Sequence, residues 1–105
     1  MPDITTICTY NAAMDFEWDD DKAARNLKKH GVRFSVAARA LLDPCRIEVY
    51  DGREDYGEDR WATIGYADPA LLYVVYTVRH EDTIRLISAR KANEQERKQY
   101  RQAHP

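Results

Sequence analysis

The sequence predicts a small α+β domain with the element order β-α-α-β-β-β-β-α. The first observation is the density of β-branched and aromatic residues between Gly57 and Ala92, which favours several strands of one sheet. The second is a pair of helical segments before this stretch and a polar helical segment after it. A length of 105 residues, with 44% apolar and 32% charged residues, suits one globular domain with a modest core.

The chain is predicted to begin with a flexible leader over residues 1–14, which show no hydrophobic periodicity, and to continue as one domain over residues 15–105. Residues 14–18, MDFEW, alternate well enough to predict a short first strand. The start of the chain has no basic segment followed by an apolar one, so we expect no export signal.

A first helix is predicted over residues 20–30, DDKAARNLKKH. Aspartates at its start complement the positive end of a helix, and one of them can cap it. Gly31 suits the left-handed position that follows a helix. The spacing predicts an apolar face of Ala23, Leu27 and His30 and a polar face of Lys22, Asn26 and Lys29.

The second helix is predicted to run from Ser35, as its N-cap, through Leu42, because Asp43-Pro44 cannot continue a helix. Residues 51–58 are polar and contain glycine, which predicts a loop. Alternation predicts four strands, of which the third is the most apolar and therefore central; they cover residues 46–50, 60–66, 71–78 and 84–89.

The last helix is predicted within residues 91–103, which are rich in helix formers and include Glu94 and Lys98 at the spacing of a favourable ion pair. Its apolar residues are few: Ala92, Tyr100 and Ala103. A helix this polar gains little from burial, so we expect it either to lie loosely on the sheet or to dock a partner.

Charge is distributed unevenly along the chain, although the net charge is only −2. Residues 1–59 contain 8 Lys/Arg against 13 Asp/Glu, whereas residues 60–105 contain 8 against 5. The total argues against a general nucleic-acid coat protein. It leaves room for a local basic surface, because attraction to a polyanion acts over about 10 Å at ordinary salt.

Cysteine usage and hydropathy limit the compartment. Cys8 and Cys45 form neither a disulfide framework nor a zinc motif, so we expect a reducing, cytoplasmic setting and no metal or cofactor. The longest apolar run, residues 70–76, is too short for a membrane span.

Arginines punctuate the ends of the predicted strands, where packing gives them no role: Arg60, Arg79, Arg85 and Arg90. Such residues suit metal-free cleavage of RNA, in which the 2′-hydroxyl is the nucleophile, because a guanidinium stabilises the extra negative charge on the phosphorane. A base and an acid are also required, and aromatic side chains commonly stack the splayed base.

Each candidate also has a structural explanation. Trp18, next to Phe16, and Tyr76, in the central strand, both fit core packing. His30 fits a hydrogen-bonded packing residue at the end of the first helix. Arg60, which follows Asp59, fits a surface ion pair of little energetic value. The sequence does not fix the face of the sheet on which each residue lies.

Several motifs, in their order along the chain, resemble the BrnT family of bacterial toxins, the toxin halves of type II toxin–antitoxin pairs: FEWDDDKAARNLKKHGVRF, DYGEDRWATIG, VVYTVR and IRLISARKA. The resemblance covers about Asp15 to Tyr100. It implies a RelE-like fold, a small twisted, mainly antiparallel sheet with two N-terminal helices and one C-terminal helix. It also implies a ribonuclease that inhibits translation and growth. The expected partner is a BrnA-type ribbon-helix-helix antitoxin, in a heterotetramer whose antitoxin dimer alone contacts DNA.

By this resemblance, Trp18 and Arg60 fall on positions associated with toxic activity. We predict catalysis by Arg60, Arg79, His30 and Glu58, RNA binding by Trp18, Lys22, Lys29, Arg85 and Arg90, and antitoxin binding by Tyr100 and Arg97. Many relatives have glycine where this chain has His80-Glu81, so we expect the turn after Arg79 to differ and to aim Arg79 differently.

Two hypotheses of different classes follow. The first is a metal-independent endoribonuclease toxin. The alternative is a non-catalytic interaction module that pairs with a DNA-binding regulator, which the thin apolar face of the last helix and the low overall basicity favour. RNA cleavage by the purified protein alone separates the two.

Overall fold

The computed structural model describes residues 15–50, 59–80 and 82–104. Within these ranges the chain forms five strands and three helices in the predicted order. They are β1 (Asp15–Glu17), α1 (Asp20–His30), α2 (Phe34–Ala40), β2 (Ile47–Tyr50), β3 (Trp61–Ala67), β4 (Ala70–Arg79), β5 (Thr83–Lys91) and α3 (Glu94–Ala103). The predicted leader, the predicted loop 51–58 and the candidate Glu58 lie outside the described residues.

The five strands form one sheet in the order β1-β5-β4-β3-β2. β1 pairs with β5 in parallel, and every other neighbouring pair is antiparallel. The sheet is therefore mixed and mainly antiparallel, as predicted, and the apolar strand β4 is central.

Helix α1 begins and ends where the sequence predicts. The Asp19 carboxylate accepts hydrogen bonds from the backbone N–H groups of Asp21 and Lys22, at 2.8 and 3.1 Å. Gly31 follows the helix at φ 73°, and its N–H donates to the Leu27 carbonyl at 2.8 Å. Both ends thus satisfy backbone groups that a helix leaves without partners.

Helix α2 differs from the prediction at both ends. It starts at Phe34, with Arg33 in the N-cap position and no side-chain capping bond, so the assignment of Ser35 as N-cap is wrong. It ends at Ala40, two residues before Leu42. Phe34 is buried in the core, and this apolar anchor sets the start of the helix in place of a polar cap.

β4 and β5 are longer than predicted, whereas β3 has the predicted length and begins one residue later. β3 and β4 stay in register to the pair Ala67 and Ala70, so that the turn between them is only Asp68-Pro69. β5 continues to Lys91, opposite Leu72. Its register shifts between the pairs Val75–Ser88 and Tyr76–Leu86, which leaves Ile87 as an extra residue in a bulge.

The two faces of the sheet are distinguished by alternate residues of the central strand, β4. The helical face, defined by Leu72, Val74 and Tyr76 of β4, packs under α1 and α2 and holds the main core. The opposite face is defined by Tyr73, Val75 and Thr77, since neighbouring residues of a strand alternate between faces.

Asn26 does not lie on the exposed polar face of α1 that the spacing predicts. It was expected on a polar, solvent-facing side with Lys22 and Lys29, but it is the buried residue of the helix, 7% exposed. Its amide donates to the carbonyls of Val32 and Ala89 at 3.0 and 2.9 Å and accepts from the Ala89 N–H at 3.0 Å. Leu27, expected on the apolar face, is instead partly exposed.

Helix α3 is attached by polar contacts, and none of its ten residues is buried. Asn93 and Glu96 form a capping box at its start. The Tyr100 hydroxyl donates to the Asp43 carboxylate at 2.7 Å. Glu94 pairs with Arg97 and Arg101, so the predicted pair with Lys98 is wrong.

Candidate functional site

Three of the predicted arginines come together at one end of the sheet. Because β4 runs antiparallel to both β3 and β5, the start of β3, the end of β4 and the start of β5 lie at the same end of the sheet. Arg60 directly precedes β3, Arg79 ends β4, and Arg85 lies opposite Thr77 near the start of β5. Alternation puts Arg79 and Arg85 on the opposite face. We call these three arginines the basic end.

The backbone that carries Arg60 is held on both sides. The hydroxyl of buried Thr77 donates to the Asp59 carbonyl at 2.6 Å. The Tyr50 hydroxyl donates to the Asp59 carboxylate at 3.0 Å, and this bond raises the pKa of Tyr50 above its usual 10. Arg60, half-buried, is therefore presented from a fixed position at the entrance of β3.

Arg85 and Arg79 differ in their surroundings. Arg85 donates to the Glu17 carboxylate at 3.0 Å, across the parallel pair of β1 and β5. Arg79 is exposed and forms no ion pair with any residue that the structure describes. The residue after it, His80, has φ 55°, in the left-handed region that glycine adopts most easily. Arg79 is thus the more available cation of the two.

Arg90 lies apart from the basic end. It is opposite Tyr73, and Arg79 is six residues further along β4, so about 20 Å of strand separates them. Its guanidinium binds the Glu96 carboxylate through two bonds of 2.8 Å and lies 4.3 Å from the centre of the Tyr73 ring. The hydrogen bonds to Glu96 raise the pKa of Arg90 further above its usual value. These contacts fix α3 to the sheet.

The remaining predicted RNA-binding and proton-transfer residues that the structure describes lie on the helical side. Trp18 packs edge-on against Phe34, with ring centres 6.0 Å apart, and lines a cleft of about 210 Å³ between α1 and α2. His30 is half-buried at the end of α1, whereas Lys22 and Lys29 are exposed on that helix. Trp18 directly follows β1, whereas Lys29 and His30 lie beyond Asn26, which binds Ala89, and therefore toward the other end of β5.

A row of three aromatic residues next to Arg60 was missed by the sequence analysis. Tyr50, Trp61 and Tyr76 are direct cross-strand partners on the helical face, and their exposed fractions fall from 53% to 36% to 5%. The rings of Tyr50 and Trp61 meet edge to face, with centres 5.0 Å apart. A signal was present in the sequence: both residues flank the predicted loop 51–58, and a hairpin brings such residues opposite each other.

Carboxylates surround this aromatic row. Glu48 accepts from Arg46 Nε at 2.7 Å and from the Tyr76 hydroxyl at 3.2 Å. Burial, and then the Glu48 charge, raise the pKa of Tyr76 well above its usual 10. With Asp59 bound to Tyr50, the row is bordered by two negatively charged groups.

The two residues predicted to bind an antitoxin make contacts within the chain. Tyr100 is partly buried and donates a hydrogen bond to Asp43. Burial is the main cause that raises the pKa of Tyr100, and the Asp43 carboxylate raises that pKa further. Arg97 donates to the Ala92 carbonyl at 2.8 Å and to the Glu94 carboxylate at 2.6 Å. Both side chains thus help to hold α3 in place.

Two further properties concern the described ranges only. No group of three or more histidine, cysteine, aspartate and glutamate side chains there is arranged to hold a metal ion.

None of the helices described is long and apolar enough to cross a membrane.

Comparisons with known proteins identify a family and a similar fold. Residues 18–96 match the family model described as "Ribonuclease toxin, BrnT, of type II toxin-antitoxin system". A 1.1 Å crystal structure of the Brucella abortus ribonuclease toxin, BrnT, superposes with a TM-score of 0.60 at 23% identity, covering 78% of this chain and 100% of that chain. No curated protein matches the sequence. The structural likeness confirms the predicted fold, with three helices and a five-stranded mixed sheet.

Proposed function

The chain belongs to the BrnT family of ribonuclease toxins of type II toxin–antitoxin systems, and on this basis we propose that it is an endoribonuclease that cleaves RNA without a metal ion. The match of the family model over residues 18–96 is the observation that carries the proposal. Membership also implies an antitoxin partner.

The proposed reaction uses the RNA's own nucleophile. The 2′-oxygen forms a bond to the neighbouring phosphorus while the bond from phosphorus to the 5′-oxygen breaks. A base removes the proton of the 2′-hydroxyl, and an acid protonates the departing 5′-oxygen. Negative charge accumulates on the phosphorane in between, and positioned cations lower the barrier by stabilising it.

Arg60 and Arg79 take the cationic role in this proposal. A planar guanidinium binds two phosphate oxygens at once and stays charged throughout. The bond from Thr77 to the Asp59 carbonyl supports the choice of Arg60, because it fixes the backbone beside it. Exposure at the end of β4 supports the choice of Arg79.

The other roles follow the chemistry of the side chains. We assign proton transfer at the basic end to Glu58. His30, the other acid–base member of the predicted set, follows Asn26 by one helical turn, and Asn26 binds Ala89 near the far end of β5, so His30 lies beyond hydrogen-bond reach of a phosphate at the basic end. RNA binding would use exposed Lys22 and Lys29, together with Arg85. Trp18 and Arg90 would join them by exchanging their present contacts, with Phe34 and with Glu96, for contacts to RNA.

In the cell, we propose that RNA cleavage inhibits translation and stops growth until a BrnA-type ribbon-helix-helix antitoxin neutralises the toxin. A dimer of that antitoxin would join two toxin chains into a heterotetramer and make the DNA contacts. Tyr100 and Arg97 on α3 are the proposed antitoxin contacts; the absence of buried residues in this helix supports a surface role.

The first test is induced expression in a bacterial host, following growth and total RNA integrity for the wild type, Arg60→Ala and Arg101→Ala. Arg101 is an exposed arginine on α3, so its variant controls for the loss of a positive charge. We expect arrest and RNA loss with the wild type and Arg101→Ala, and neither with Arg60→Ala. Co-expression of the antitoxin gene should restore growth.

Purified protein makes the same test sharper. We expect the wild type to cleave RNA equally well with and without EDTA, and Arg60→Ala to lose at least 100-fold in rate, about the effect of removing one charge-stabilising donor. A folded Arg60→Ala protein that still cleaves RNA would move the chemistry elsewhere. A folded wild type that cleaves none, yet binds the antitoxin, would establish the interaction module instead.

A further inference from the structure

The aromatic row at the β2 edge presents two large rings to solvent beside the basic end. Its third member, Tyr76, is buried in the core, whereas Tyr50 and Trp61 stay accessible because α2 covers the helical face further along β3, at Gly65. β2 is the outermost strand of the described sheet, so no further strand flanks Tyr50.

Cross-strand packing explains only part of this arrangement. A direct aromatic pair stabilises a hairpin by about 0.2–1 kcal/mol, and that accounts for the contact between Tyr50 and Trp61. It does not account for the link from Tyr50 through the Asp59 carboxylate to the backbone that carries Arg60. The pair is thereby fixed relative to the basic end.

The rings and the basic end meet at the end of β3. Arg60 comes directly before Trp61, and because neighbouring strand residues alternate between faces, the guanidinium and the ring leave the backbone on opposite sides of this strand end. Proteins that bind single-stranded RNA stack splayed bases on aromatic rings and bind phosphates through arginine. An RNA strand that passes over this end of the sheet would meet arginines on one side of it and the two rings on the other.

The charges around the rings favour a base over a phosphate. Glu48 and Asp59 border the aromatic pair and would repel a phosphate on that side. Their carboxylates can accept hydrogen bonds from the amino groups of a base. Phosphate would therefore lie toward Arg60 and Arg79, with the base over the rings.

We propose that Trp61 and Tyr50 form a stacking site for one unpaired nucleobase of the RNA substrate, next to the phosphate bound by the basic end. The proposal rests on the proposed ribonuclease function and adds a substrate class to it, RNA that is single-stranded at the cleavage site. Bases inside a duplex are stacked on one another and cannot reach the rings.

Tryptophan fluorescence tests this directly, because the chain contains only two tryptophans, Trp18 and Trp61. The probe is a single-stranded 2′-deoxy oligonucleotide, which lacks the nucleophile and is bound without being cleaved. In Trp61→Phe the remaining tryptophan is Trp18, so the quenching that the wild type shows beyond this variant belongs to Trp61, and we expect that difference to be large when the oligonucleotide is bound. A fluorescein-labelled oligonucleotide reports binding independently through its polarisation.

Affinity and cleavage supply the second readout. Trp61→Ala should weaken oligonucleotide binding by about 5- to 150-fold, the effect of losing one base stack, and Trp61→Phe should restore most of it. Tyr66→Ala is the matched control, since Tyr66 is an exposed aromatic residue at the other end of β3. It should bind and cleave like the wild type. Circular dichroism establishes that each variant is folded. If Trp61→Ala does not fold, Trp61→Leu takes its place.

The outcomes separate this inference from the proposed function. If the wild type cleaves RNA while Trp61→Ala binds and cleaves equally well, or if Trp61 is not quenched by a bound oligonucleotide, the stacking site is refuted alone. If Trp61→Ala loses only antitoxin binding, the rings contact protein and the proposal is again refuted. If the wild type neither binds nor cleaves RNA, the proposed function fails and the stacking site fails with it.

Discussion

Asn26 shows how one side chain completes the sheet. β1 pairs only with residues 83–85, so the outer edge of β5 has no strand beyond Arg85. There the Asn26 amide accepts from the Ala89 N–H and donates to its carbonyl, as the peptide group of a neighbouring strand would. Buried backbone groups need such partners. One helical asparagine therefore continues the role of β1 along β5.

Replacing Asn26 by alanine should consequently destabilise the fold. The change leaves the N–H and carbonyl of Ala89 and the carbonyl of Val32 without their partner. Each buried group left unsatisfied costs about 1–3 kcal/mol, so we expect the free energy of unfolding to fall by about 3 kcal/mol. Urea unfolding followed by circular dichroism measures it. Lys29→Ala, exposed on the same helix, should stay within about 0.5 kcal/mol of the wild type; equal stability of the two variants would contradict this role.

At the scale of single residues, a role could be predicted where its contacts lie nearby in the sequence and could not where they lie far away. The aspartate cap and Gly31 act on neighbours within one helix turn, and the sequence predicted both; the structure identifies Asp19 as the aspartate. The role of Asn26 depends on Ala89, 63 residues away, which spacing within α1 cannot reveal. Ser35 failed as a cap for a related reason, because burial of Phe34 against distant strands fixed the start of α2.

At the scale of elements, α2 lies on β3 at a distance that only glycine permits. A Cβ added at Gly65 would overlap the backbone carbonyl oxygen of Ala40. This contact brings the end of α2 against β3 and leaves Trp61, four residues earlier, partly uncovered. The close approach thus shapes the core and the aromatic row together.

Gly65→Ala should lower the free energy of unfolding by about 1–3 kcal/mol, the usual cost of forcing extra atoms into a packed core. The clash is with backbone, so a second change, Ala40→Gly, should not rescue it. Gly31→Ala is the comparison: its added Cβ meets nothing within 4 Å, and the cost comes from φ 73° alone. Gly31→Asn should recover part of that cost because asparagine tolerates the left-handed region, whereas Gly65→Asn should be worse than Gly65→Ala.

Strand register decides which of the candidate arginines lie near one another. Arg60, Arg79 and Arg85 lie near one another because they sit where consecutive antiparallel strands end and begin. Arg90 lies in the same sequence motif as Arg85, IRLISARKA, but it is further along β5 and therefore near the other end of the sheet. The extra residue Ile87 shifts the alternation of side chains midway along β5, and no periodicity in the sequence indicates this bulge.

At the scale of the whole molecule, α3 is held by charge and hydrogen bonds. The bond between Arg90 and Glu96 joins its first turn to β5, and Tyr100 joins its last turns to Asp43 beyond α2. The thin apolar face in the sequence predicted weak burial correctly, but no pattern indicated the polar contacts. Attachment of this kind depends on ionisation, which gives it a pH dependence that an apolar interface lacks.

Glu96 sets the direction of that dependence. Burial alone would raise its pKa, but the bonds from Arg90 and the Asn93 N–H outweigh burial and hold the pKa below its usual 4.5. A carboxylate with a depressed folded-state pKa stabilises the fold fully above its unfolded pKa, and the stabilisation is lost as the pH falls through the folded pKa. Glu96→Gln retains the capping group and removes the charge.

We therefore expect Glu96→Gln to be about 1 kcal/mol less stable than the wild type at pH 7, as for a partly exposed, bidentate pair. The difference should shrink below pH 4.5 and vanish once Glu96 is protonated in the folded state. Urea unfolding at a series of pH values measures it, with Lys98→Gln on the exposed side of α3 as control. A difference that stays constant down to about pH 2 would contradict the charge-based attachment.

The position of β5 between β1 and β4 also has a consequence for the order of synthesis. β3 and β4 are consecutive and can pair with each other first, whereas β1 and Asn26, which precede them in the chain, have no strand to join until residues 83–91 have been made. A nascent chain released before that point lacks Arg85 and leaves the edge of β4 bare. The basic end, with the buried contacts that support it, is thus completed only after residues 83–91 have been translated.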